Sequence, residues 1–190
     1  GTRELLMWLD RNPLVEFQPI DVILNPKVIG RNDRVMAILP ARKVDLTGNV
    51  ALHTGKGNVT SGPGAVQELF MGAALSANGR TIFALPSRNR RGEANIVVSV
   101  EKMPYQFSNR ESLDIVVTEY GVAYLLGRTL RERAQALIDI SHPDDRAELI
   151  RQAKAAKMIY ADQIYFEDSG RLYPEKVSCV HVFRDELTVR

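Results

Sequence analysis

Two glycine clusters, Gly55-Lys56-Gly57 and Ser61-Gly62-Pro63-Gly64-Ala65, lead straight into a segment of helical spacing that starts at Val66. The first amides of a helix have no partner inside it, so such a loop can aim N–H groups at a phosphate or a developing oxyanion. Gly62, Gly64 and Ala65 would carry those amides. An ordinary tight strand-to-helix connection uses the same residue types, and a short Gly-x-Gly does not decide between the two. The loop is not a P-loop, because the Gly-Lys-Ser/Thr end is missing and Lys56 lies on the wrong side. Arg88, Arg90 and Arg91 crowd a polar stretch directly after a strand-like run. Ligands of open α/β sheets gather at the carboxyl ends of strands, where arginines can pair with a diphosphate or a 3′-phosphate. A solvated charged loop is the commoner use of such a cluster. Glu119 follows another apolar run, so its carboxylate emerges at a strand end. That placement suits catalysis, and it suits equally the capping of nearby backbone amides, the usual fate of such an acid.

Other chemistries lack their residues. His53, His142 and His181 stand far apart and share no ligand spacing with one another, with Cys179 or with a carboxylate, so no metal is expected. There is no Gly-x-Ser-x-Gly elbow, and His142 before Pro143 reads as a helix start. Cys179 is alone among Val177, Val180 and Val182, which excludes an intrachain disulfide and suggests a buried small side chain in a reducing compartment. With 25 Lys+Arg against 23 Asp+Glu, both signs interspersed, the chain has no basic stripe for nucleic acid. The longest apolar runs are strand-length and no apolar leader is visible, so neither a membrane span nor a signal peptide is expected and the cytoplasm is the expected location.

Some scaffold must hold these residues, and 190 residues with 45% hydrophobic and 25% charged content suit one α/β core plus a tail. Runs at 35–39, 81–85, 96–100 and 115–117 are rich in β-branched residues and read as strands buried on both faces. Val66, Leu69, Phe70 and Ala73 predict a helix over 66–76 that stops at Asn78-Gly79. Thr129 and Glu132 have the spacing of a capping box and open a helix to 140. Pro143 with Asp144 and Asp145 opens another, which turns basic toward Lys157. The expected fold is a three-layer α/β domain with a mixed, mainly parallel sheet over 1–159, and 160–190 read as a connector.

Several segments together resemble the C-terminal portion of the acetyl-CoA hydrolase/transferase family, of the acetate and 4-hydroxybutyrate CoA-transferase type. They are Asn12-Pro13-Leu14-Val15-Glu16-Phe17, Val44-Asp45-Leu46-Thr47-Gly48, Gly62-Pro63-Gly64, Ala84-Leu85-Pro86-Ser87, and the long run VVTEYGVAYLLGRTLRERAQALIDISHPDDR over 116–146. The resemblance implies a tandem CoA-transferase fold, half of an acyl-CoA hydrolase or CoA-transferase that exchanges CoA between an acyl-CoA and a carboxylic acid or water. In that family a glutamate attacks the thioester and passes through a glutamyl-CoA intermediate. The matching position lies upstream of Asn12-Pro13, so no catalytic residue is assigned to this chain. Glu119 remains the internal challenger.

The same resemblance implies coenzyme A or acyl-CoA as substrate, without a metal. It implies the N-terminal half of the same enzyme as partner, and leaves room for a homo-oligomer. The glycine loop would border the thioester, and the three arginines would face CoA phosphates. Relatives read Gly-x-Gly-Gly, a polar residue, then Asp-Phe; here Ala65, Glu68 and Leu69 replace the last glycine, the aspartate and the phenylalanine. Leu24 stands where relatives often carry an asparagine whose amide can assist the thioester oxygen. A tail from Asp168 to Arg190 resembles the connector and first strand of a fused GNAT-type N-acetyltransferase. The rival reading is therefore a non-catalytic acyl-CoA-binding regulatory module for an attached acetyltransferase.

Overall fold

Apolar strand-length runs alternating with helical segments build two sheets and six helices in the computed structural model, which describes residues 1–52, 64–103, 106–107, 109–164 and, as backbone alone, 171–172. Three short helices, α1 (Arg3–Leu9), α2 (Ile20–Ile23) and α3 (Pro26–Ile29), form an arm that buries none of its residues. The larger sheet has the order β1 (Met36–Pro40), β4 (Arg80–Ala84), β7 (Ile115–Thr118), β8 (Gly121–Tyr124), β9 (Arg171–Leu172). The smaller has the order β5 (Ile96–Val97), β2 (Lys43–Asp45), β3 (Val50–Ala51), β6 (Gln106–Phe107).

The α/β class and the mixed sheet agree with the sequence. Parallel pairing joins β1 to β4 to β7 and β2 to β5, because long connections separate those strands. Antiparallel partners complete both sheets, and β8 follows β7 through only Glu119-Tyr120, with Tyr120 N donating to Thr118 Oγ1 at 3.1 Å.

Helix α4 (Val66–Leu75) seats Phe70 against Phe83 of β4 with ring centroids 5.0 Å apart. Phe107 of β6 meets these two rings at 5.2 and 5.8 Å, so one aromatic cluster ties the helix to both sheets. Helix α5 (Leu130–Asp139) carries the expected capping box, and Ala134, Leu137 and Ile138 are buried. It lies on the same side of the larger sheet as α4, since Thr118 Oγ1 donates to Ile140 O at 2.6 Å and Thr118 shares a strand face with Val116. Helix α6 (Pro143–Ala155) starts with His142 as N-cap and Pro143 in the first position.

Some boundaries differ from expectation for local reasons. Helix α4 ends at Leu75 with Ser76 as C-cap; Asn78 takes a left-handed φ of 59°, and a Cβ on Gly79 would stand 2.0 Å from Ala73 O. Helix α6 ends before Lys157, whose φ is 57°. The run at 96–100 pairs only at Ile96–Val97, because the amide of Val100 points to Asp45 Oδ2, 3.4 Å away, instead of to a strand. Among the described residues no helix is long and apolar enough to cross a membrane. The tail with its expected link to a further domain, together with Cys179 and His181, lies outside the described residues apart from β9.

Candidate functional site

Phe70 sits one turn into α4 and packs near the end of β4, which puts the first turn of the helix over the carboxyl ends of β1 and β4. Gly64 enters that turn with φ +69°, a conformation glycine adopts without strain, and no described residue lies within 4 Å of where its Cβ would be. Ala65 follows as N-cap and offers no side-chain oxygen to the first amides. Among the described residues, Gly64 and Ala65 therefore leave the first amides of α4 without a side-chain cap. Gly62, His53 and the Gly55-Lys56-Gly57 cluster lie outside the described residues.

Strand β4 exits through Pro86 into Ser87, which is 1% exposed. Glu119, at the matching end of β7, accepts from Ser87 N at 2.8 Å and from Ser87 Oγ at 2.6 Å. Its carboxylate thus locks two strand ends together and caps a backbone amide, with both oxygens engaged. Beyond Ser87 the chain makes a small hairpin. Asn89 Oδ1 accepts from Arg91 N at 2.8 Å and Glu93 N at 3.0 Å, Gly92 turns with φ +77°, and Arg88 pairs with Ala94.

This hairpin divides the three arginines. Arg90 and Arg91 are exposed at its tip. Arg88 at its root points to α6 instead, its Nε 2.9 Å from Asp145 Oδ2 and its Nη2 2.6 Å from Asp145 Oδ1, with Asp144 Oδ2 3.4 Å from Nη1. The forked pair holds the Asp145 carboxyl below its usual range, chiefly through the hydrogen bonds from Arg88 and against the opposing effect of burial. From the sequence, Asp145 reads only as a charge favourable to a helix start; the partner 57 residues away carries no sequence signal.

A pH prediction follows. A depressed carboxyl stabilises the fold above its unfolded pKa, near 3.8, and that contribution disappears as pH falls through the lower folded value. Arg88→Gln should therefore lower the melting temperature by a constant amount between about pH 5 and 8, and the gap from the parent should close below about pH 4. Thermal melts across that range check it, and a gap that widens in acid would show the pair to be irrelevant to stability.

Asp45 is deeply buried, 3% exposed beside a pocket of about 230 Å³ that Arg110, Gln106 and Met158 also line. Its Oδ1 accepts from Thr47 N, Thr47 Oγ1 and Asn49 N at 2.9, 2.7 and 3.0 Å, and its Oδ2 from Asn49 Nδ2 at 3.2 Å. A carboxylate with these partners fastens the turn between β2 and β3. Among the described residues no group of three or more His, Cys, Asp or Glu converges to hold a metal ion.

The candidate groups thus share one edge, the carboxyl ends of β1, β4 and β7, where α/β folds bind ligands. A sequence model described as the acetyl-CoA hydrolase/transferase C-terminal domain matches residues 1–153. The chain is 39% identical over 155 residues to a 4-hydroxybutyrate coenzyme A transferase of Clostridium kluyveri, a match covering 81% of this chain and 36% of that protein. It is 38% identical over 155 residues to a succinyl-CoA:acetate/propanoyl-CoA:succinate CoA transferase of Fasciola hepatica, covering 80% of this chain and 32% of the other. Among solved structures, the 4-hydroxybutyrate CoA-transferase of Porphyromonas gingivalis superposes with a TM-score of 0.68 at 37% identity, over 82% of this chain and 35% of that one. RipA of Yersinia pestis superposes with a TM-score of 0.73 at 30% identity, over 84% and 35%. The chain spans about a third of the length of the relatives it matches.

Proposed function

The chain belongs to the acetyl-CoA hydrolase/transferase C-terminal domain family, and on that premise we propose that it forms the C-terminal half of an acyl-CoA hydrolase or CoA-transferase. The observation that carries this reading is the match over 1–153 with relatives named as CoA-transferases. In the proposed reaction a glutamate in the N-terminal half attacks the acyl-CoA carbonyl and expels the CoA thiolate, giving an acyl anhydride. The thiolate then attacks the glutamyl carbonyl and releases the acyl group as a carboxylate, leaving a glutamyl-CoA thioester. A second carboxylic acid, or water, completes the exchange.

This chain contributes positioning and charge stabilisation. The amides at Gly64 and Ala65 meet the thioester oxygen as it gains charge, a role extended to Gly62 from the sequence alone. Arg90 and Arg91 reach for the CoA phosphates, while Arg88 holds their hairpin against α6. The partners are accordingly the N-terminal half, acyl-CoA and small carboxylic acids, in the cytoplasm.

Gly64→Val tests the reading in the transferase-length polypeptide. Valine at φ +69° is strained, and its side chain extends into the open approach to the amides. Acyl transfer to acetate should fall by about 10²-fold, the usual cost of displacing a donor by roughly an ångström. Unchanged kcat/KM would return the loop to a plain structural turn.

A further inference from the structure

Strands that run parallel rarely meet water on either face, because the crossovers between them leave helices on both sides. Here β1, β4 and β7 are parallel, yet α4 and α5 both cover the face that carries Phe83, Val116 and Ala123, each 0% exposed. The opposite face holds two rows in register across the strands. One is Ile38, Ile82, Ile115 and Tyr124; the other is Pro40, Ala84, Val117 and Val122. A face built to meet water would alternate to polar side chains at these positions, and none of the eight is charged. Ile38 is 61% exposed, Met36 beside it 50%, and Tyr124 39%, while Ile115 in the middle of the row is 8% exposed, so the open part of the face lies toward its two ends.

We propose that this face is the docking surface for the remaining two thirds of a transferase-length chain, which lays an apolar helical layer across Ile38, Ile82 and Tyr124. The occupant follows from length and chemistry. The matched region makes up 36% of the Clostridium relative, so a protein of that size has enough further chain to supply the layer. The surface itself selects apolar side chains, because a charged partner placed over these rows would lose its water without gaining a counter-charge. The inference rests on the transferase reading for the identity of the occupant. The need for a cover rests on the sheet alone.

Accessibility of a single thiol measures it independently of catalysis. In a Cys179→Ser background, Ile38→Cys is reacted with a thiol-specific disulfide reagent in the 190-residue chain and in the transferase-length polypeptide, each rate normalised to its denatured form. Labelling should be at least about 100-fold slower in the longer protein, the protection expected when reaction requires opening of a packed interface. Equal normalised rates would overturn the docking surface even if the enzyme were fully active. Protection without CoA-transferase activity would instead retire the functional reading and keep the surface. Protection already present in the 190-residue chain, and lost on dilution, would identify a second copy as the occupant and so overturn the proposal.

Discussion

Mixed with acyl-CoA and acetate, the 190-residue chain is expected to show neither acyl transfer nor release of free CoA above the uncatalysed background. Amides that stabilise an oxyanion lower a barrier only when a nucleophile forms that oxyanion, and the family's glutamate is assigned to the N-terminal half. Relative to the transferase-length polypeptide the loss should be at least about 10⁴-fold, the scale on which removal of a nucleophile is felt. Glu119 is the carboxylate in the best position to contradict this. Both its oxygens already accept from Ser87, at 2.8 and 2.6 Å, which lowers its nucleophilicity and fixes it toward the strand ends. Glu119→Gln in the longer protein should therefore cost stability before chemistry. Steady turnover by the 190-residue chain that vanished in Glu119→Gln would put the nucleophile in this half and refute the assignment.

The largest stability effect is expected for Phe83→Ala, at about 3–5 kcal/mol. Phe83 is fully buried, and its ring is the shared neighbour of Phe70 at 5.0 Å and Phe107 at 5.8 Å. Deleting it removes the ring on which Phe70 of α4 and Phe107 of β6 both pack, leaving only their own contact at 5.2 Å, and opens a cavity that stiff neighbouring strands cannot fill. Since a domain of this kind has about 5–15 kcal/mol in total, the variant should be partly unfolded near 37 °C. Ile38→Ala offers the contrast within the same sheet: at 61% exposure it should change the urea midpoint of the 190-residue chain little. Similar midpoints for the two variants would mean that the aromatic cluster is not the core.

How much of this was legible depends on the range of the interactions. The capping box at Thr129 and Glu132 and the proline start of α6 are read within four residues, and both occur as expected. Strands β1, β4 and β7 announce themselves as β-branched runs. Strands β2, β3 and β6 have two or three residues, too few for any period to show, and the turn from β2 to β3 depends on Asp45 gathering Thr47 and Asn49 around one carboxylate. The runs also announce burial on two faces, and among the described residues helices cover only one. At the site, residue types were visible but partners were not: Arg88 reads as either a phosphate ligand or a solvated charge until Asp145 is found 57 residues later, and the amide that Glu119 is expected to cap has no identity until Ser87 is found 32 residues earlier.

The hairpin that carries Arg90 and Arg91 is clamped at its root twice, by Glu119 on Ser87 and by Asp145 on Arg88, while Asn95 Nδ2 ties its returning strand to Pro86 O at 2.9 Å. Its tip is consequently a short lever on a stiff base. Backbone order parameters there should match those of the adjoining strands, and fast motion should be confined to the two arginine side chains. Any anion they receive meets a frame already assembled, so the entropy lost on capture is that of a few side-chain torsions and not that of an eight-residue loop.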